Sequence, residues 1–324
     1  MPDPIAEAAN ELDQQIRPTV LETPIVERSI AGRHVWCKQE NLQTTGSFKI
    51  RGAMAKLLSL DPTQRANGVL TASTGNHGAA VAHAGMVLAT AVTVFVPETA
   101  DPTKLEAITK AGATVRQIPG DPLQAELAAR REAAAADLAY VPPYNDRVVV
   151  AGQGTVGVEL LRQIEDPSTV IVSVGGGGLI SGIGAVIKQQ WPEVELVAVS
   201  PKNSAAMAAS IIAGHVIEVE SLPTLSDGTA GGVEPDSITF ESCQRLIDRW
   251  ITLTEQDIAE AMVAYLDSHD DRIEGSAAAA LAAVHKLPEA RDPLVVVLCG
   301  RNAGAASESL ARDLSADTTA DRRC

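Results

Sequence analysis

Three stretches of this chain place reactive residue types where they could act together. Gly175-Gly176-Gly177-Gly178-Leu179 follows the apolar, β-branched run at 170–174 and leads into a helical stretch at 179–190. Four successive residues without Cβ let backbone N–H groups come close to an anion. The first turn of the following helix adds partial positive charge. The run has no P-loop lysine, so it suits a monophosphate better than a triphosphate. A tight strand-to-helix turn is the plainer reading, yet four glycines are more than such a turn requires.

Lys49 lies in Thr44-Thr45-Gly46-Ser47-Phe48-Lys49-Ile50-Arg51-Gly52-Ala53, at the apparent start of a helix. Lysines are usually solvated. Beside Phe48, Ile50 and the Gly52-Ala53 step, this one can be partly desolvated, which lowers its pKa and makes the amine nucleophilic. The third stretch, Ser73-Thr74-Gly75-Asn76-His77-Gly78, sits at a strand end. Its hydroxyls, amide and helix-start N–H groups could grip a carboxylate and a ring oxygen. Taken alone, His77 reads more readily as a structural histidine. A Schiff-base lysine with a separate monophosphate cup is what pyridoxal phosphate needs.

The elements that must position these groups alternate along the chain. Strands are expected at 69–71, 91–96, 114–118, 170–174, 194–199 and 294–299, and helices at 78–88, 103–110, 123–138, 179–190 and 303–313. Continuous apolar strands alternating with helices mean parallel sheets covered on both faces. Functional groups on such sheets collect at the carboxyl ends of the strands, where the loops 73–78, 175–178 and 299–302 fall. The polar tail after Leu314 is expected to fray.

Composition bounds the function classes. The 324 residues are 45% hydrophobic and 21% charged, with 3% aromatics, so Ala, Val, Leu and Ile must build the core. At roughly 150 residues per domain this suggests about two domains. A net charge of −15 argues against a nucleic-acid or anionic-membrane partner. No apolar stretch is long enough to span a membrane, and the polar N-terminus does not resemble a secretory signal. Cys37, Cys243, Cys299 and Cys324 are scattered, as expected of reduced thiols in a cytoplasm.

Gly152-Gln-Gly154-Thr-Val-Gly157 fits the dinucleotide pattern, after a strand-like 148–150 and before a helical 158–164. The fingerprint also wants an acid near the end of the next strand. That strand ends instead in Gly175, so nicotinamide binding is not favoured.

Ser47 to Ala53, Ala72 to Gly78, Gly175 to Leu179, Glu274-Gly275-Ser276-Ala277 and Cys299-Gly300-Arg301-Asn302 occur in one order over nearly the whole chain. In this the sequence resembles the fold-type-II pyridoxal-phosphate enzymes, in particular the serine/threonine dehydratase and serine racemase family. Pro142-Pro143-Tyr144-Asn145-Asp146 and the segments 151–157 and 200–207 look most like the hydroxyectoine-utilisation dehydratase branch. The resemblance implies an α/β fold like that of the tryptophan synthase β chain, with two open parallel-sheet domains and the cofactor between them. Residues 1–59 and 146–324 would form the large domain and 60–145 the small one.

The resemblance also implies roles. Lys49 would carry the cofactor and move the Cα proton, with Phe48 against the ring and Asn76 on the ring hydroxyl oxygen. Gly175, Gly176, Gly177, Gly178 and Leu179 would take the phosphate, and Cys299 would face the pyridine nitrogen. Ser73, Thr74 and the backbone around Gly75 and His77 would hold the carboxylate of a small amino-acid substrate. The expected reaction is elimination of water from L-threonine or L-serine to a 2-oxo acid and ammonia, by a cytoplasmic homodimer. The alternatives are the same chemistry on a hydroxyectoine-derived amino acid, or racemisation.

The chain departs from the family pattern in places. Position 299 is usually Ser or Thr, and Cys is a weaker hydrogen-bond donor. Where metal-dependent members carry acids, Ser200 to Ala206 offers Ser and Ala, so no metal is expected. Thr74 stands where racemases use serine. The chain ends soon after the last strand, so feedback through a C-terminal regulatory domain is not expected. Met54, Pro143, Tyr144, Asp227 and Thr229 are candidates to shape the substrate pocket. Asp227-Gly228 reads equally as a plain turn, and Glu274 either lies near the ring or caps the following helix. Two rivals remain: a non-catalytic ligand-binding relative, and a dinucleotide-binding oxidoreductase resting on Gly152 to Gly157.

Overall fold

The computed structural model describes residues 3–321, so Cys324 lies outside the described residues. Among the described residues ten strands form two sheets. The six-stranded sheet holds β1 (Ile25–Ile30), β2 (Arg33–Lys38), β7 (Thr169–Ser173), β8 (Glu195–Pro201), β9 (Arg249–Leu253) and β10 (Leu294–Val297). Its order is β1-β2-β10-β7-β8-β9. The four-stranded sheet holds β3 (Val69–Ala72), β4 (Val92–Pro97), β5 (Thr114–Ile118) and β6 (Ala139–Tyr140), in the order β5-β4-β3-β6. Every pairing is parallel except the β1–β2 hairpin.

Each residue of β7 and of β10 is buried. Helices cover both faces of such a sheet, which is why these strands read as unbroken apolar runs. The core around the six-stranded sheet is built largely of Val, Ile, Leu and Ala. A second core, including Ile50, Met54, Val81 and Val94, packs against the four-stranded sheet.

Two expectations are corrected. The strand-like 148–150 and the loop 152–157 belong to one helix, Arg147–Gln163. The Asp146 carboxylate starts it by accepting from the amides of Val148 (2.9 Å) and Val149 (3.0 Å). Tertiary packing overrides the β-branched run there. After Leu314 the helix Ala305–Asp321 continues where fraying is expected, and residues 322–324 lie outside the described residues. Buried Ala311 ties that helix to the core.

Candidate active site

Three strand ends supply the reactive groups. β3 leads through Ser73, Thr74 and Gly75 into the helix Asn76–Val87. β7 leads through Val174 and the glycines into the helix Gly178–Gln190. β10 ends beside Leu298 and Cys299, both buried. Lys49 opens a fourth element, the helix Lys49–Ser59. Ser47 bridges Gly300, and the Phe48 amide donates to the Cys299 carbonyl (3.1 Å), so backbone pairing fixes Lys49 beside Cys299.

The Lys49 ammonium donates to the Pro143 carbonyl (3.0 Å) and lies 5.2 Å from the centroid of the Phe48 ring. Burial of the amine pushes its pKa down to about 8, against the nearby Cys299 and Glu274. The amine is therefore available close to neutral pH.

Asn76 is gripped on both sides. Its Nδ2 donates to both Glu274 oxygens (3.0 Å each), and its Oδ1 accepts from Asn302 Nδ2 (2.7 Å). Glu274 Oε1 is also 4.0 Å from Cys299 Sγ. Burial, with Glu274 next in effect, raises the Cys299 thiol well above its ordinary pKa, so it stays protonated. Glu274 thus joins Asn76 and Cys299 in one cluster. It occupies the cap position of the helix Gly275–Lys286 but makes no capping bond there. Of the two readings of Glu274, the structure selects the site.

The glycine run is pinned on the faces where side chains would project. A Cβ on Gly175 would stand 2.7 Å from the Thr229 carbonyl oxygen, and one on Gly177 2.8 Å from Cys243 Sγ. A Cβ on Gly176 would enter the Tyr144 ring. Gly177 adopts a φ of +82° that favours glycine. The first amides of a helix have no partner within it, and here they belong to Gly178, Leu179 and Ile180. The Thr239 hydroxyl donates to the Gly176 carbonyl (2.6 Å), holding the loop from outside.

Ser73, Thr74 and Gly75 line the entrance to the helix Asn76–Val87, and the Ser73 hydroxyl accepts from the Gly75 amide (3.2 Å). His77 does not face that opening. Its ring is buried with Nε2 on the Val141 carbonyl (3.0 Å). Burial first, and Lys49 second, push its pKa down to about 3. The side chain is a neutral structural group, and only the His77 backbone belongs to the helix opening. Met54 is likewise core rather than pocket, at 1% exposure. In the sequence Asn302 stands only as the end of the Cys299-Gly300-Arg301-Asn302 motif; its contact with Asn76 is visible only in the structure.

The residues present fit pyridoxal phosphate: a desolvated amine, a glycine run at a helix start that suits an anion, and an asparagine held by Glu274 and Asn302. Comparison with known proteins decides the family. The family model described as pyridoxal-phosphate dependent enzyme matches residues 12–300. The chain belongs to that family. Its cofactor is pyridoxal phosphate. The L-threonine ammonia-lyase of Thermotoga maritima is 36% identical over 302 residues, covering 92% of this chain and 74% of that protein. The processed form of threonine deaminase isoform 2 from Solanum lycopersicum superposes with a TM-score of 0.89 at 28% identity, over 96% of this chain and 93% of that one. Serine racemase from Dictyostelium discoideum gives a TM-score of 0.85 at 32% identity, over 92% and 98%. No helix among the described residues of this pyridoxal-phosphate dependent enzyme is long and apolar enough to cross a membrane.

Proposed function

We propose that this chain eliminates water from L-threonine or L-serine, giving a 2-oxo acid and ammonia. The observation that carries the reading is the Lys49 amine, desolvated and set beside a thiol rather than a carboxylate at Cys299. The 36% identity to an L-threonine ammonia-lyase supports the substrate class.

When bound, pyridoxal phosphate supplies an aldehyde for the substrate amine and a ring that draws electron density from Cα. The amides at the start of the helix Gly178–Gln190 would hold its phosphate, and Asn76 would orient the ring through its hydroxyl oxygen. Ser73, Thr74 and the amides after Gly75 would hold the substrate carboxylate. Lys49 Nζ, as a free amine, would take the Cα proton. Cys299 Sγ keeps its own proton and places no full charge against the ring, unlike a carboxylate at that point. A ring so held would draw less electron density from Cα, which suits elimination: the β-hydroxyl would leave as water, with a proton equivalent to the one Lys49 takes from Cα.

We take residues 1–59 and 146–324 as the large domain, 60–145 as the small one, and a cytoplasmic homodimer as the working state. Racemisation is a second reading, supported by Thr74 in the segment between β3 and the helix Asn76–Val87 and by the likeness to a serine racemase. A hydroxyectoine-derived amino acid is the alternative substrate. The test is 2-oxo acid formation by the cofactor-loaded protein, with L-threonine, L-serine and the hydroxyectoine-derived amino acid offered separately. Turnover of threonine or serine is expected. Turnover of the third alone, or inversion without oxo acid, would replace the leading reading.

A further inference from the structure

The glycine run is pressed between two walls, and its residues face them in turn. A Cβ on Gly176 would enter the Tyr144 ring, 2.6 Å from both Cγ and Cε1, and one on Gly178 would stand 3.0 Å from Tyr144 Cβ. A Cβ on Gly177, between them, would meet the opposite wall: Cys243 Sγ at 2.8 Å, Met207 Cε at 3.2 Å and Thr239 Cβ at 3.2 Å. Non-bonded carbons rest about 3.5–4.0 Å apart, so neither wall leaves slack. Within the run only Gly177 has a positive φ. The backbone at Gly176 therefore permits a side chain, and the Tyr144 ring takes its room.

Tyr144 is itself held. Its hydroxyl accepts from the Glu234 amide (2.9 Å). Next to it, Asn145 donates through Nδ2 to Glu234 Oε2 (2.9 Å) and accepts at Oδ1 from the Ile238 amide (3.0 Å). Arg130, on the helix Pro122–Ala136, pairs with the same Glu234 oxygen at 2.9 Å. The segment 234–239 so reaches the glycine run twice, through Tyr144 and through the Thr239 hydroxyl on the Gly176 carbonyl (2.6 Å). On the other side of Tyr144, the Pro143 carbonyl accepts from Lys49 Nζ (3.0 Å). Two consecutive residues thus touch the reactive amine and the glycine run.

Four glycines in a row make the most flexible backbone a loop can have. An anion that must first order such a loop binds more weakly, because the ordering opposes binding. A flat ring set against Gly176 and Gly178 orders the loop in advance. We propose that Tyr144 is a positioning residue for the cofactor phosphate, its ring fixing Gly176 to Gly178 with their amides ready for the anion. Tyr144 then serves the cofactor rather than the substrate pocket. The inference deepens the reading that this run holds the phosphate of pyridoxal phosphate, and rests on it.

The test measures, by equilibrium dialysis, the affinity of the full-length protein for pyridoxal phosphate and for pyridoxal. The two share the aldehyde and the ring, so the ratio of their affinities reads the phosphate cup alone. Tyr144→Ala should lower that ratio roughly 10-fold or more, with pyridoxal itself bound about as before. Tyr144→Phe keeps the ring, loses one hydrogen bond and should stay within about threefold of the parent. Gly176→Ala should lose the preference when Tyr144 is present, and should lose little more when added to Tyr144→Ala, where the ring is gone; such coupling marks a direct contact. Tyr144→Leu, which keeps an apolar side chain, repeats the comparison if Tyr144→Ala does not fold. An unchanged ratio, an equal loss of both ligands, or additive effects of the two substitutions would each overturn the role. A parent that binds pyridoxal phosphate no better than pyridoxal would overturn the phosphate reading as well. A parent with a clear preference that survives the loss of the ring would overturn only the role of Tyr144.

Discussion

His77 and Lys49 are both cationic when protonated, and burial depresses both. The free Lys49 amine is needed to bond the cofactor aldehyde, so its rate of reconstitution should rise with pH and level off near about 8. Levelling only near the ordinary lysine value would show that the amine is not desolvated. His77 acts on stability. Its folded pKa of about 3 lies below its ordinary 6.5, so the folded state binds fewer protons than the unfolded chain between those values. Stability is then lost as pH falls through that window, by up to about 1.4 kcal/mol per pH unit. His77→Gln should flatten the fall of Tm between pH 6 and pH 4; an unaltered slope would show that His77 is not the titrating group. Residue types were legible here where chemistry restricts them, as for Lys49, Asn76 and the four glycines. Side-chain direction was not. His77 stands in the motif yet turns to Val141, and Glu274 stands at a helix start yet turns to Asn76.

At the scale of elements, the helix Arg147–Gln163 shows why a local pattern misleads. Gly152, Gly154 and Gly157 line its contacts with neighbouring helices. A Cβ on Gly152 would stand 2.7 Å from Gly52 Cα and 2.8 Å from Ala55 Cβ, and one on Gly154 3.0 Å from Ala9 Cβ. A glycine-lined helix face and a dinucleotide loop share a spacing; what lies opposite distinguishes them. Gly152→Val should destabilise the fold by about 1–3 kcal/mol or more through overpacking, read from denaturant unfolding. A neutral result would mean the two helices are not in close contact. The parallel strands at the sheet centres were legible because burial on both faces makes them apolar throughout. β1, β2, β6 and β9 were not: β1 alternates toward solvent at a sheet edge, β2 mixes basic and apolar residues, β6 has two residues, and β9 is only partly buried.

Over the whole molecule, one buried ionic cluster ties the first strands to the helices that carry the site. Arg51 joins Glu40, Glu159 and Thr155, and Lys38 joins Glu159, Gln163 (2.9 Å) and the Thr23 carbonyl (2.7 Å). Arg51 lies on the helix that Lys49 opens, so the cluster anchors the reactive amine to the large sheet. Removing one member leaves buried charge uncompensated, and Glu159→Ala should cost about 3–5 kcal/mol of stability. Denaturant midpoints compared with Glu159→Gln measure it; a cost below about 1 kcal/mol would mean solvent reaches the cluster. The sequence carried the alternation of elements and the order of the motifs, but not this cluster, because its members lie up to 140 residues apart.

The central claim is that Lys49 is the residue that bonds the cofactor. The most direct measurement is to load the purified protein with pyridoxal phosphate, reduce the lysine–cofactor bond with borohydride, digest the chain and locate the label by mass spectrometry. The account predicts a single labelled residue, Lys49, and no label in Lys49→Ala, whose turnover should also fall by roughly 10³-fold or more. A label on any other lysine, or a loaded and active enzyme in which Lys49 stays unmodified, would contradict it.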